Sequence, residues 1–397
     1  MTRRFGTAVV ATLVSSGVFF VVGYVTHFLS GRTFGPREYG DLGVALAIQT
    51  SLNFLFVTGI SNSVSREVAQ RGGQSIDAIA GLVMRWNVLP CLAAAVLAAV
   101  VWPDDPFLAS LLLASGVAFP AYSAMALGNG VLNGTRAFLA QSVWSVVGYI
   151  ARLAVVLVAC FLLHSPIVLM FSYAVGAATT AVLSTRGMRL GREGLRAGLP
   201  PGFIRAITAG GVLAGAMFVL LQADVLALRI VGGAGNALGE FVAGTTLARL
   251  PFYVGSFLAL LGFPGQAAAT MDAVERRRAR LLLALTLGVS LALLSPVFLA
   301  PTWVVQTAYG PSFRGAGPLA FAMGLGGLAL GVVGLVGNLL FAQRRTTAAL
   351  RILGVTVLAL VALAVWLRED PILLAWAGSI AFVACAAAST WAWSRHA

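Results

Sequence analysis

About twelve apolar stretches, each near twenty residues long, follow one another along this chain with only short polar joints between them. Roughly 20 apolar residues is the length of a helix that crosses a bilayer, and a helix satisfies its own backbone polar groups where no water can. The stretches start near residues 6, 42, 86, 107, 140 and 166, and again near 206, 238, 280, 317, 351 and 371. At 59% hydrophobic and 10% charged, the chain departs from soluble proteins, in which about 25% of residues are charged. The longest joints, near 61–85, 185–205 and 264–280, have room for a few helical turns and for no soluble domain. The expected class is an all-α polytopic membrane protein of about 12 spans.

One phrase occurs twice at the same kind of joint. Phe34-Gly35-Pro36-Arg37-Glu38-Tyr39-Gly40-Asp41-Leu42 is echoed by Gly233-Ala234-Gly235-Asn236-Ala237-Leu238-Gly239-Glu240-Phe241. In each, a glycine and an acid are expected to open a helix, with Gly40 or Gly239 allowing the turn and Asp41 or Glu240 facing the positive end of the helix dipole. A second echo sets Gly128-Asn129 before Arg136 and Gly337-Asn338 before Arg345. Repeats of this kind predict two pseudo-symmetric six-helix lobes, 1–196 and 197–397.

The net charge of +13 comes from 26 arginines and no lysine, scattered between the spans rather than gathered into a nucleic-acid patch. With the N-terminus inside, nineteen arginines fall in cytoplasmic joints and five in outer ones, which places both termini in the cytoplasm. The basic run Arg276-Arg277-Arg278-Ala279-Arg280 fits the same anchoring, with anionic headgroups as its second reading. Arginine in place of lysine throughout points to a GC-rich bacterial genome and removes Schiff-base and P-loop lysine chemistry. Met1-Thr2-Arg3-Arg4-Phe5 is not an export signal, because the apolar run continues to Leu29 with no small-residue cleavage site after it. Cys91, Cys160 and Cys385 lie far apart within apolar runs, and His27, His164 and His396 are equally dispersed. Neither a disulfide framework nor a metal site is expected, and no cofactor is called for.

Enzymes of membrane sugars and lipids carry clustered Asp, Glu or His for acid and base work. Here the outer acids are few, and Asp104-Asp105 between Pro103 and Pro106 reads as a turn. With no nucleophile elbow, spaced histidine pair or dinucleotide loop, the expectation is a non-enzyme. Gly324, Gly327, Gly331, Gly334 and Gly337 line one face of the tenth span. They read as a close-packing face or as a bendable helix, and Gly211 with Gly215 admits the same two readings.

Two arginines stand where lipid should be. Arg152 and Arg249 each lie about eleven residues into a span, the fifth and the eighth. A central arginine costs about 2.5–3.5 kcal/mol on insertion scales, so it faces water or a partner. Arg152 shares a face with Gln141, Ser145 and Tyr149, and Arg249 shares one with Thr245 and Thr246, while Gln49, Thr50 and Asn53 stripe the second span. Asp224, with Gln222 beside it, is the acid within the seventh span. It is either a substrate or coupling-ion residue, or the ion-pair partner of Arg152, Arg249 or Arg229. Pro251, two residues past Arg249, frees a backbone carbonyl and is expected to kink the eighth helix beside the charge. The candidate substrate-binding set is Arg152, Arg249, Asp224, Gln49, Asn53, Gln222, Thr245 and Tyr149.

Several stretches carry a resemblance. They are Phe34 to Gly40, Asn129-Gly130-Val131-Leu132-Asn133-Gly134-Thr135-Arg136-Ala137-Phe138, Ala223-Asp224-Val225-Leu226 leading to Leu238-Gly239-Glu240-Phe241, and Tyr309-Gly310-Pro311-Ser312-Phe313. In this order the chain resembles the polysaccharide, or oligosaccharide-lipid, flippases of the multidrug/oligosaccharidyl-lipid/polysaccharide exporter superfamily. The resemblance implies two lobes around a central cavity with alternating access. It also implies an anionic lipid-linked oligosaccharide as cargo, membrane lipids as surroundings, and polysaccharide polymerase and glycosyltransferases as partners. A guanidinium suits a diphosphate because it offers bidentate, charge-assisted hydrogen bonds. The first span lacks an acid, unlike drug-exporting relatives, and no extra helix pair follows the twelfth span as in peptidoglycan-precursor flippases. Two other readings stay open: a cation-coupled small-molecule antiporter of the same fold, and a non-transporting scaffold for polysaccharide synthesis.

Overall fold

In the computed structural model the described residues, 2–71, 76–186, 199, 202–266, 273–342 and 346–394, are helical apart from short turns and contain no strand. The first half of the chain forms α1 (Thr2–Phe56), α2 (Thr58–Arg71), α3 (Ile76–Trp86), α4 (Val88–Val101), α5 (Pro106–Gly116), α6 (Ala118–Gly134), α7 (Phe138–Val158) and α8 (Pro166–Thr185). The second half forms α9 (Phe203–Ile230), α10 (Gly235–Ala248), α11 (Leu250–Gln266), α12 (Ala273–Leu299), α13 (Pro301–Tyr309), α14 (Ala316–Ala342), α15 (Thr346–Trp366) and α16 (Pro371–Ser394).

Ten segments among the described residues are long and apolar enough to cross a membrane. One of them, Val14–Gln70, holds two spans, because α1 breaks at Gly35 with φ 73° and ψ 175°, a conformation that is essentially glycine-only. A further span runs through α10 and α11, whose 14 and 17 residues are each short of a full crossing because the helix is interrupted at Arg249. Reading through these two interruptions recovers the expected twelve, and the protein is a multi-pass membrane protein. Large apolar side chains left outward, Ile230, Leu299 and Trp366 among them, are the surface that acyl chains cover.

Contacts divide the chain into two units, Met1–Phe34 with Ile48–Gly215, and Gly35–Ala47 with Ala216–Ala397. The expected cut between 196 and 197 lies outside the described residues, and neither unit is one uninterrupted half. Each crossing segment has a packing reason. In the first unit, Gly59 has no room for a Cβ beside the Ile207 carbonyl, nor Gly211 beside the Leu55 carbonyl, so α9 begins flush against the second span. Val57, Ile60, Val64, Val68, Ile79, Phe203 and Ile207 form one buried cluster around that contact.

In the second unit the repeated phrase proves to be a packing device. The turns fall at Gly35 and Gly235, both at positive φ, and not at Gly40 and Gly239 as the sequence pattern predicts. Gly40 and Gly239 instead sit inside helices and face one another: a Cβ on Gly40 would lie 2.9 Å from the Gly239 nitrogen, and one on Gly239 would overlap the Pro36 carbonyl. Asp41 and Glu240 therefore do not cap their own helices. Asp41 approaches Arg229 at 4.0 Å, and Glu240 accepts the Gly315 N–H at 2.9 Å, where a carboxylate complements the start of α14. Beside them the fully buried rings of Tyr39, Tyr309 and Phe313 stack with centroids 5.3–5.6 Å apart. Two of the stretches that carry the resemblance thus meet in one aromatic cluster.

Candidate functional site

Arg249 sits at a helix break that its own sequence creates. Pro251 has no N–H to offer the turn before it, and the chain leaves the helix at Arg249 itself (φ −82°, ψ −9°), the expected kink beside the charge. Phe252 N–H then returns to the Arg249 carbonyl at 3.1 Å. The glycine face of α14 makes room for this exposed backbone. A Cβ on Gly327 would overlap the Ala248 carbonyl, one on Gly331 would lie 3.0 Å from the Pro251 carbonyl, and one on Gly334 would lie 2.6 Å from that of Phe252. Close packing is therefore the reading of that stripe which the geometry bears out.

Beyond the break, Arg249 is 8% exposed. It donates from Nη1 to Gln222 Oε1 at 2.6 Å and from Nη2 to Asp224 Oδ1 at 2.7 Å, while its Nε has no partner. Asp224 Oδ1 also accepts the Val225 N–H at 2.8 Å. Of the alternatives for Asp224, the observed one is the ion pair with Arg249. Thr245 and Thr246 spend their hydroxyls on the Val242 carbonyl at 3.0 and 2.7 Å. Asp224, Thr245, Arg249, Met323 and Ser379 line a cavity of about 20 Å³, which is room for one water molecule.

Arg152 has different surroundings. Gly148 and Gly176 bring α7 and α8 together, and a Cβ on Gly176 would stand 2.9 Å from that of Arg152. Tyr173 lies one turn before Gly176, and its ring receives the guanidinium face at 3.7 Å. Tyr122 on α6 and Tyr149 on α7 are further electrostatic neighbours, and the remaining polar contact is a long 3.5 Å hydrogen bond from Nη2 to Thr26 Oγ1 on α1. Arg152 is 7% exposed, and its Nε is unpartnered among the described residues. Among the described residues no carboxylate reaches it.

The expected site residues therefore fall into separate groups. Arg249, Asp224, Gln222 and Thr245 converge in the second unit, and Arg152 and Tyr149 converge in the first. Gln49 and Asn53 also belong to the first unit, where both amide atoms of Gln49 and Oδ1 of Asn53 are buried without a partner, and no described contact joins either to Arg152. The sequence pattern misses Thr26, Tyr122 and Tyr173. A signal for the last two exists: a tyrosine amid apolar residues brings a hydroxyl that needs polar company. It also misses Glu67, a buried carboxylate on α2 in what reads as a polar joint. Among the described residues, no three His, Cys, Asp or Glu side chains gather as metal ligands would.

Residues 6–194 match the family described as polysaccharide biosynthesis protein. No curated protein sequence matches the chain. Among solved structures, the fold is similar to a multidrug resistance MATE family transporter of the MOP superfamily in an inward-facing conformation, at 12% identity and TM-score 0.72, covering 94% of each chain. It is similar to lipid II flippase MurJ in an inward closed conformation, at 13% identity and TM-score 0.70, covering 98% of this chain and 87% of that one. A MOP superfamily transporter from Pyrococcus furiosus matches at 12% identity and TM-score 0.66, covering 98% and 95%.

Proposed function

We propose that this chain, with the pattern of the polysaccharide biosynthesis protein family over residues 6–194 on a MOP-superfamily fold, is a flippase. Its cargo is an oligosaccharide linked to a polyprenyl diphosphate, moved across the bacterial cytoplasmic membrane for surface-polysaccharide assembly. Both termini face the cytoplasm, and the polymerase and glycosyltransferases of that assembly are its partners. The chain binds and moves the cargo, and makes or breaks no bond in it.

Arg152 carries this reading. A buried cation holds its place only when its burial cost is met by a partner. Tyr173 offers the quadrupole of one ring, about 0.5–2 kcal/mol, and no acid completes the balance among the described residues. The missing counter-charge is supplied by the cargo. A diphosphate brings several acceptor oxygens to a guanidinium that binds such groups in bidentate fashion, and the tyrosines around it present rings and hydroxyls to the adjoining sugar. Asp224 weighs against the antiporter reading, because a coupling cation would have to displace Arg249 from it.

The test is a leaflet assay in proteoliposomes with a fluorescent sugar on a prenyl diphosphate. Inner-leaflet label becomes accessible to an external quencher if the protein flips the lipid, and stays protected in protein-free vesicles. A purified, inserted protein that leaves the label protected overturns the reading. Drug efflux that follows an imposed proton or sodium gradient and requires Asp224 would favour the antiporter instead.

A further inference from the structure

The two buried arginines are unequal in a way that sets what each can bind. Among the described residues no acid reaches Arg152, whereas Arg249 already holds an anion of its own. Asp224 serves Nη2 with one oxygen, Gln222 serves Nη1 with a neutral one, and Nε is left without an acceptor. The guanidinium edge formed by Nε and Nη2 is thus half filled by a single carboxylate oxygen. That same oxygen has a second donor in the Val225 N–H, so Asp224 keeps a hydrogen bond if Arg249 turns away. The adjoining cavity, lined by both members of the pair, has room for a water. An incoming group takes the Nε–Nη2 edge by replacing Asp224.

We propose that Asp224 is a specificity-determining counter-anion, which makes Arg249 answer to a multiply charged headgroup and ignore a singly charged one. Displacement strands the Asp224 carboxylate in a low-dielectric setting, a cost that any incoming anion meets, and a monoanion brings no more charge than the carboxylate it replaces. A diphosphate brings two or more charges to the guanidinium to offset that cost, and fills the open Nε as well, so it displaces Asp224. Gln222 stays on Nη1 throughout and holds the side chain in place. The inference rests on the reading that the cargo is anionic, and adds which anions are selected and by which residue.

The experiment compares binding of farnesyl diphosphate, the singly charged methyl ester of farnesyl phosphate, and neutral farnesol to the purified full-length protein, by calorimetry in detergent. Wild-type protein is expected to prefer the diphosphate to the methyl diester by tenfold or more. In Asp224→Asn the methyl diester gains at least tenfold and the preference collapses, and the gain vanishes in Asp224→Asn/Arg249→Gln. Asp224→Ser provides the same comparison should the asparagine variant not fold, with monodispersity on gel filtration as the check. If wild type prefers the diphosphate but neither Asp224 variant gains affinity for the methyl diester, the role given to Asp224 is wrong while the anionic cargo stands. If wild type does not distinguish diphosphate from farnesol, the cargo reading falls, and the role of Asp224 falls with it unless its variants acquire binding of the methyl diester.

Discussion

Removing the Arg249 side chain strands a buried acid, whereas removing that of Arg152 strands none among the described residues. The pair of Arg249 with Asp224 is 10% and 11% exposed at its side chains, and taking one partner from a buried pair costs about 3–5 kcal/mol. Arg249→Leu should therefore lower the melting temperature sharply in a tryptophan-fluorescence melt, and Arg249→Leu/Asp224→Leu should restore most of the loss. Arg152→Leu should act the other way. It forfeits a ring contact worth about 0.5–2 kcal/mol and relieves a buried charge within a span, of the kind that costs about 2.5–3.5 kcal/mol at a span's centre, so the variant should be as stable as wild type or more so. A residue whose removal stabilises the protein is retained for what it binds. A drop in melting temperature for Arg152→Leu comparable to that for Arg249→Leu would mean that Arg152 has a structural partner.

Among the elements, the broken eighth span and the glycine face of α14 form one device, since the carbonyls of Ala248, Pro251 and Phe252, which flank the break, each face a glycine. Gly327→Ala pushes a Cβ into the Ala248 carbonyl and should destabilise by about 1–3 kcal/mol, the usual cost of overpacking. Gly354→Ala on α15 meets nothing within 4 Å and should gain up to about 1 kcal/mol from helix propensity alone. Thermal melts of the two variants read this contrast directly. The spans, the small-residue face and the break near Arg249 were legible because apolar length, glycine spacing and proline chemistry are local properties. The pairing of Asp224 with Arg249 was legible only as one of several partners, since sequence separation carries no register between helices. The tyrosine surroundings of Arg152 were not read at all, because Tyr122, Tyr149 and Tyr173 come from three helices that only packing brings together. The turn was misplaced from Gly35 to Gly40 because the phrase holds both a turning glycine and a packing glycine, and only backbone angles tell them apart.

Across the whole molecule, each unit takes in one short segment from the other half of the chain, residues 35–47 and the start of α9, so the repeat seen in the sequence is not cut cleanly at its midpoint. The arginine distribution predicts the orientation. With Cys91, Cys160 and Cys385 replaced by serine, a cysteine at Asp104 should react with an impermeant maleimide from outside intact cells, and one at Arg186 only after permeabilisation. The reverse pattern would invert the topology. The proposed transport passes through one buried guanidinium that no acid reaches among the described residues, and its most direct test is the translocation rate of Arg152→Leu in proteoliposomes, at insertion equal to wild type, with the sugar-bearing prenyl diphosphate as cargo. The account predicts a fully folded protein whose rate falls to that of empty vesicles. A folded Arg152→Leu protein that flips the lipid as fast as wild type would contradict it.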